Sequence, residues 1–161
     1  MVCNVIAALR TRTIALTLPA RLVALAQLFL PAGLTLALVA ALVDGAYGPL
    51  SPSVRPALAI LLLCGWVGLT VAGALLHLLA VLARVRHLTL AMPAPRPTRD
   101  RAITALAGLA VVAWALTQVD GLTGLTTPAL ALHIAATVVL AGHIARAAVR
   151  VSSPWPHART S

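Results

Sequence analysis

The chain has 161 residues, of which 61% are hydrophobic and 9% are charged, and its mean hydropathy is +1.01. A soluble domain of this length needs far more surface charge, so the composition excludes a soluble globular protein and predicts one that lies in a bilayer. The formal net charge is +9, but the basic residues stand at the ends of apolar runs and no aromatic residues are interleaved with them. The charge therefore predicts membrane topology and argues against nucleic-acid binding.

Residues 1–21 form the N-terminus, for which an interfacial amphipathic helix and an unstructured segment are both open interpretations. The first predicted span covers residues 22–43. It is longer than the hydrophobic core of a signal peptide, and no small-residue cleavage site follows it, so we interpret it as a retained span. Pro31 and Gly33 predict a kink in this helix, because proline removes one backbone donor and crowds the preceding turn.

The second predicted span, residues 57–83, contains no formally charged side chain. At 1.5 Å per residue it is long enough to cross a hydrocarbon core of roughly 30 Å. Before it, residues 44–55 are rich in Gly and Pro and predict a loop. Within the span, small side chains form a strip that allows another helix to approach closely. This strip consists of Gly65, Gly68, Ala72 and Gly73.

The rest of the chain predicts two more spans and a tail. Residues 84–101 form a basic connection in which prolines favour extended backbone. Trp114, towards the end of the third span, fits the aromatic belt at a membrane interface. The remaining predicted segments are a third span at 102–119, a loop at 120–126, a fourth span at 128–149 and a cytoplasmic tail at 150–161.

The arginines predict the orientation of this four-span arrangement. Arg55 falls on one side of the membrane together with two of the three aspartates, whereas the other arginines fall on the opposite side. Because cytoplasmic segments carry the excess of positive charge, both termini are predicted to be cytoplasmic, in a bacterial plasma membrane. The arginines on the cytoplasmic side are Arg10, Arg12, Arg21, Arg84, Arg86, Arg96, Arg99, Arg101, Arg146, Arg150 and Arg159.

The predicted fold is an all-α integral membrane four-helix bundle, treated as one domain over residues 22–149. Val-Asp-Gly closes the first and third spans, and Pro-Ala-Leu-Ala opens the second and fourth. These matches favour two duplicated helical hairpins related by an axis along the membrane normal. Chance similarity in a chain this rich in Ala and Leu is the open alternative.

Two histidines on the second and fourth spans are the main candidates for chemistry. His77 and His143 each precede an arginine by seven residues, on helices predicted to run in the same direction. Both should lie about 10 Å inside the cytoplasmic boundary. Two imidazoles that face each other can ligate the iron of a b-type haem, and Arg84 and Arg146 can pair with its propionates.

Other roles for these histidines stay open. An imidazole within a span can hydrogen-bond a neighbouring helix and hold the bundle together, or can belong to a proton, metal or quinone site. His133, ten residues before His143, has no histidine partner on the second span, so a second metal site is not predicted. Cys3 and Cys64 are expected at different depths, which argues against a disulfide.

One segment of the second span resembles a known family. The run from Leu63 to Leu75, LCGWVGLTVAGAL, continuing to Leu82-Ala83-Arg84-Val85-Arg86, resembles a span in the membrane portion of actinobacterial copper-oxidase and nitrite-reductase-like proteins, distant relatives of haem-copper oxidase subunit one. The family's histidines before Gly-Trp are replaced here by Leu61, Leu62 and Leu63. The resemblance covers about one helix in four, implies a redox-membrane association and carries over no catalytic residue.

The sequence therefore leaves three functional hypotheses. The first is an accessory or structural subunit whose small-residue faces pack against partner membrane proteins or a second copy. The second is a haem-binding electron-transfer subunit with His77 and His143 as axial ligands. The third, a small oligomeric transporter, is disfavoured because Asp44, Asp100 and Asp120 are all predicted in loops. No phosphate-binding loop, hydrolase elbow or zinc-protease motif is present, so no enzyme activity is predicted.

Overall fold

A computed structural model of the chain describes residues 17–43, 54–86, 96–118 and 123–152. These residues are almost entirely helical and include no β-strand, which confirms the all-α prediction. The described residues form four helices. Three of the four are long and apolar enough to cross a membrane, the pattern of a membrane protein with several spans.

The helices occur where the apolar runs predict them and all begin earlier, whereas the third ends at Leu116, before its predicted end at residue 119. The four helices begin four, three, five and two residues earlier than predicted, in chain order. The helices are α1 (Leu18–Val43), α2 (Val54–Arg86), α3 (Pro97–Leu116) and α4 (Thr126–Ser152). A short 3-10 turn, Thr123–Leu125, precedes α4. Helix α4 itself begins at Thr126, before the predicted start at Pro128.

Helix α3 is the one that length and composition do not mark as a membrane span. Arg99, Asp100 and Arg101 lie within its first five residues, and its uninterrupted uncharged run is the 15 residues from Ala102 to Leu116. The helix starts at Pro97, a residue predicted to be extended. Proline is favoured at a first helical position because the backbone N–H it lacks has no partner there.

Helices α1 and α2 pack closely and antiparallel through glycines. A Cβ atom at Gly65 would lie 2.6 Å from the Phe29 ring, and one at Gly73 would lie 3.0 Å from the backbone oxygen of Pro19. A Cβ atom at Gly33 of α1 would likewise lie 2.9 Å from Leu62 Cδ2. Two residues of the predicted small-residue strip are therefore used for contact within the chain.

Helices α2 and α4 run in the same direction and meet at their C-terminal ends. Arg86 Nη1 donates a hydrogen bond of 2.8 Å to the backbone oxygen of Val151. The segment Leu69–Arg86 packs on α4, whereas Ile60–Gly68 packs on α1 and α3 and, among the described residues, makes no close backbone approach to α4. The two helices thus diverge towards their N-terminal ends.

The core lies among α1, α2 and α3. Leu22 and Ala26 of α1 are fully buried, and they cluster with Leu69, Ala107 and Val111. Within the described ranges, α1 and α4 do not contact each other, so they lie on opposite sides of the α2–α3 pair. Helix α4 consequently contributes little to the core, and its buried residues are Ala129 and Ala136.

Candidate functional site: a cavity between three helices

A cavity of about 370 Å³ lies where the diverging halves of α2 and α4 leave a gap beside α3. Its lining is mostly aliphatic, as the apolar composition of all three helices dictates. The polar side chains in the lining are Cys64 of α2 and His133 and Thr137 of α4. The exposed residues Leu63, Gly68 and Thr137 stand at its border, so the cavity opens sideways, towards the surface that lipid would cover.

Part of the α2 side of the cavity is built by a π-helical segment, Ile60–Gly68. In this geometry a carbonyl pairs with an N–H five residues later, which widens the helix and shifts the side chains that follow. A Cβ atom at Gly68 would lie only 3.2 Å from the backbone oxygen of Leu63, so glycine suits this position. The segment returns to α-helix where Leu69 N–H and the Thr70 hydroxyl, at 2.6 Å, both donate to the Trp66 carbonyl.

His133 is the ionisable side chain on the α4 side of the cavity. Its ring lies against the half-buried ring of Trp114, with centroids 4.5 Å apart and planes tilted by 53°. Nδ1 of this imidazole is enclosed and has no hydrogen-bond partner among the described residues. The nearby Thr137 hydroxyl donates instead to the backbone oxygen of His133, at 2.9 Å. A buried polar atom without a partner is uncommon in a folded protein and calls for an explanation.

The residues predicted to hold haem lie elsewhere. His143 is half-buried, and its Nδ1 is 2.8 Å from the backbone oxygen of Val139 on its own helix. His77, Arg84 and Arg146 are exposed, and none of these four residues lines the cavity.

The angular position of His77 separates it from α4. It is nine residues before Arg86, the residue that bonds α4, and nine residues correspond to about 180° around a helix. His77 therefore points away from α4 and from His143. The haem-ligand assignment stays a prediction, and this placement gives it no support.

Sequence reasoning placed no ligand at His133, which the structure brings together with Cys64 and Trp114. The sequence predicts Trp114 in an interfacial aromatic belt. The structure adds a ring contact between Trp114 and His133 that the sequence does not predict. Cys64 is a free thiol, and Cys3 lies outside the described residues. Within the described ranges, no three or more His, Cys, Asp or Glu residues form a group that could hold a metal ion.

These features define a helical protein with several potential membrane spans and with a side-opening apolar cavity whose lining includes the imidazole of His133. Comparisons with protein-family models, with curated proteins and with solved structures found no match to the chain. The resemblance of the α2 segment to copper-oxidase-like membrane spans accordingly stays a prediction.

Proposed function

We propose that this chain is a four-span protein of a bacterial plasma membrane, with both termini cytoplasmic, that serves as an accessory subunit and packs through α4 against another membrane protein. The observation that carries the proposal is the burial of α4. Only 11% of its most apolar window is buried within the chain, against 22% for α1 and 28% for α2. A span that is so little covered has most of its surface available to a partner.

The uncovered surface of α4 has the composition that helix packing in membranes uses. Lipid tails are as apolar as leucine, so helices associate where small residues let backbones come close. One side of α4 presents such residues at helical spacing, and we call it the small-residue face. It consists of Ala131, Ala135, Gly142 and Ala145, with the larger and exposed Val138 among them. A Cβ atom at Gly142 would meet nothing within 4 Å.

The contrast between Gly142 and Gly73 supports a partner at this face. Gly73 lets α1 come so close that a Cβ atom would be 2.8 Å from Val23. The chain thus uses glycine for close helix contact where a partner helix is present. At Gly142 the same residue type has no partner helix among the described residues, so we assign the contact to a second polypeptide.

The parallel direction of α2 and α4 supports four spans. If α2 ends in the cytoplasm, α4 must end there too, because Arg86 contacts Val151. Since α2 and α4 cross the membrane in the same direction, the chain between them must cross once in the opposite direction. Helix α3 is the described helix that lies between them in the sequence. Its uncharged part is about 22 Å long, short for a span, and bilayer thinning or the flanking Thr117 and Gln118 can accommodate the difference. All described arginines except Arg55 lie at the cytoplasmic end of this arrangement.

A topology measurement tests the four-span part. Alkaline phosphatase is active only outside the cytoplasm, so we expect activity from a fusion placed after Ser53 and none from a fusion at Ser161. Activity at both positions would mean that α3 does not cross, and the proposed topology would be wrong.

An association measurement tests the accessory role. We expect Ala135→Leu, on the small-residue face, to release the partner that co-purifies from native membranes in mild detergent, or to dissociate a homo-oligomer built from 16.5 kDa subunits. The matched control is Ala105→Leu, which places the same side chain on an exposed position of α3. A wild-type chain that is monomeric and alone, or equal behaviour of the two variants, would contradict the proposal.

A further inference from the structure

We propose that the cavity between α2, α3 and α4 binds the head group of a lipid-soluble quinone, with His133 donating a hydrogen bond to one of its carbonyl oxygens. This goes beyond the accessory role and does not depend on it. Three features carry the inference: the depth and side opening of the cavity, the polarity that His133 presents to it, and the size of the space.

The cavity lies in the apolar middle of the spans. On α2 it extends from Leu63 to Ala72, about 14 Å from the helix start at Val54 and about 21 Å from its end at Arg86. Leu63 at its border is 64% exposed, and Ile60–Gly68 leaves the gap to α4 open. A molecule dissolved in the bilayer can therefore enter from the side.

The imidazole presents a hydrogen-bond donor. A neutral imidazole carries its proton on one ring nitrogen, and the other nitrogen is an acceptor. Nδ1 of His133 is enclosed without a partner, and burying an unpaired N–H is rarer in proteins than leaving an acceptor unpaired. The proton is therefore favoured on Nε2, the ring nitrogen that the protein does not enclose. The thiol of Cys64, also in the lining, is a second, weaker donor.

A donor in an apolar space selects ligands that carry acceptors. A saturated acyl chain has no acceptor and would leave the imidazole N–H unpaired, which is costly in lipid. A quinone has a flat apolar ring with two carbonyl acceptors and partitions into the bilayer. The cavity volume of about 370 Å³ falls in the range of small-molecule sites, which are concave, mostly apolar and marked by a few polar groups. Ionisable residues inside spans commonly mark such sites.

The test uses the full-length protein in nanodiscs with menadione, a tail-free naphthoquinone, and with a short-chain menaquinone. Tryptophan fluorescence measures binding, because Trp114 contacts His133 and quinones quench indole emission. We expect saturable quenching that Ala72→Leu weakens by about tenfold or more by filling the cavity. The matched control, Ala74→Leu, adds the same side chain at an exposed position two residues away and should bind like the wild type.

Infrared difference spectra test the hydrogen bond itself. The carbonyl stretch of bound menadione should move to lower frequency, and His133→Phe should abolish that shift while keeping an aromatic ring against Trp114. His133→Gln, which retains an N–H donor, should preserve part of the shift, and His143→Phe should leave it unchanged. If Ala72→Leu does not fold, as judged by circular dichroism, Ala141→Leu at the cavity border replaces it.

The outcomes separate a quinone from other occupants. Absence of saturable quenching in the wild type, or equal affinity in Ala72→Leu and Ala74→Leu, would overturn the proposal. Displacement of menadione by a saturated fatty acid at equal concentration would also overturn it, since the cavity would then be an acyl-chain site. None of these readings depends on the partner of α4, so the two proposals can fail separately.

Discussion

The close contact between α1 and α2 predicts that Gly73→Ala destabilises the protein. The added Cβ atom would lie 2.8 Å from Val23 Cγ2 and 3.0 Å from the backbone oxygen of Pro19, whereas carbon atoms make favourable contact at about 3.5–4.0 Å. Val23 is stiff because it is β-branched, and a backbone oxygen moves only with its helix. Helix α1 must therefore shift, at a cost of about 1–3 kcal/mol, the usual range for overpacking.

Gly142→Ala provides the matched control. Replacing glycine by alanine within a helix gains about 1 kcal/mol from backbone propensity, and this gain is common to both variants. At Gly142 a Cβ atom meets nothing within 4 Å, so Gly142→Ala should be more stable than the wild type. The difference between the two variants, about 1–3 kcal/mol, then isolates the steric cost at Gly73.

Reversible unfolding of the purified chain, titrated with sodium dodecyl sulfate in mixed micelles and followed by circular dichroism, measures both free energies. Two-state behaviour is checked by the agreement of circular dichroism with tryptophan fluorescence. A difference between the variants of less than about 0.5 kcal/mol, the ordinary range for surface substitutions, would refute the close packing of α1 on α2.

Two further predictions concern α2. In a dithionite-reduced minus oxidised spectrum of protein expressed with haem, we expect no b-type band, because His77 lies on the side of α2 away from α4; a sharp band lost in both His77→Ala and His143→Ala would restore the haem hypothesis. Thr70→Val should lower the unfolding free energy by about 0.5–1.5 kcal/mol, because it removes the hydroxyl that donates to the Trp66 carbonyl at 2.6 Å. An unchanged stability in the same unfolding assay would mean that Leu69 N–H alone satisfies that carbonyl.

The sequence predicted the helices well because apolar length is a strong signal in a membrane protein. It predicted α3 less well, since its apolar run is short and charged residues extend the helix at one end. The π-helical segment Ile60–Gly68 could not be predicted. A π-helix differs from an α-helix in whether each backbone N–H bonds the carbonyl five or four residues earlier. A run of apolar residues is compatible with both hydrogen-bond patterns.

The candidate site differs from the predicted one for a geometric reason. Spacing along a helix gives depth, and it put His77 and His143 at similar depth. Whether two side chains meet also depends on their angle around each helix, which is set by the neighbours: α1 covers one side of α2, and α4 touches it on another. The second span carries no histidine partner for His133, so the sequence predicts none, whereas the structure pairs the imidazole with Trp114 beside the cavity.

The strongest test of whether His133 serves a ligand or the fold is the stability of His133→Phe. If this imidazole holds the helices together by hydrogen bonding, removing its nitrogens should lower the unfolding free energy. The structure argues for the opposite sign, because Nδ1 has no partner among the described residues and phenylalanine keeps the ring contact with Trp114.

Relieving a buried unpaired polar atom is worth about 1–3 kcal/mol, and the adjacent cavity leaves room for the slightly larger ring. We therefore expect the ligand-free variant to be about 1 kcal/mol more stable than the wild type in the same unfolding titration, while it loses the carbonyl shift of bound menadione. A loss of stability instead would assign His133 to the fold. A gain in stability together with a loss of binding is the signature of a residue kept for its ligand, because proteins commonly give up stability at functional sites.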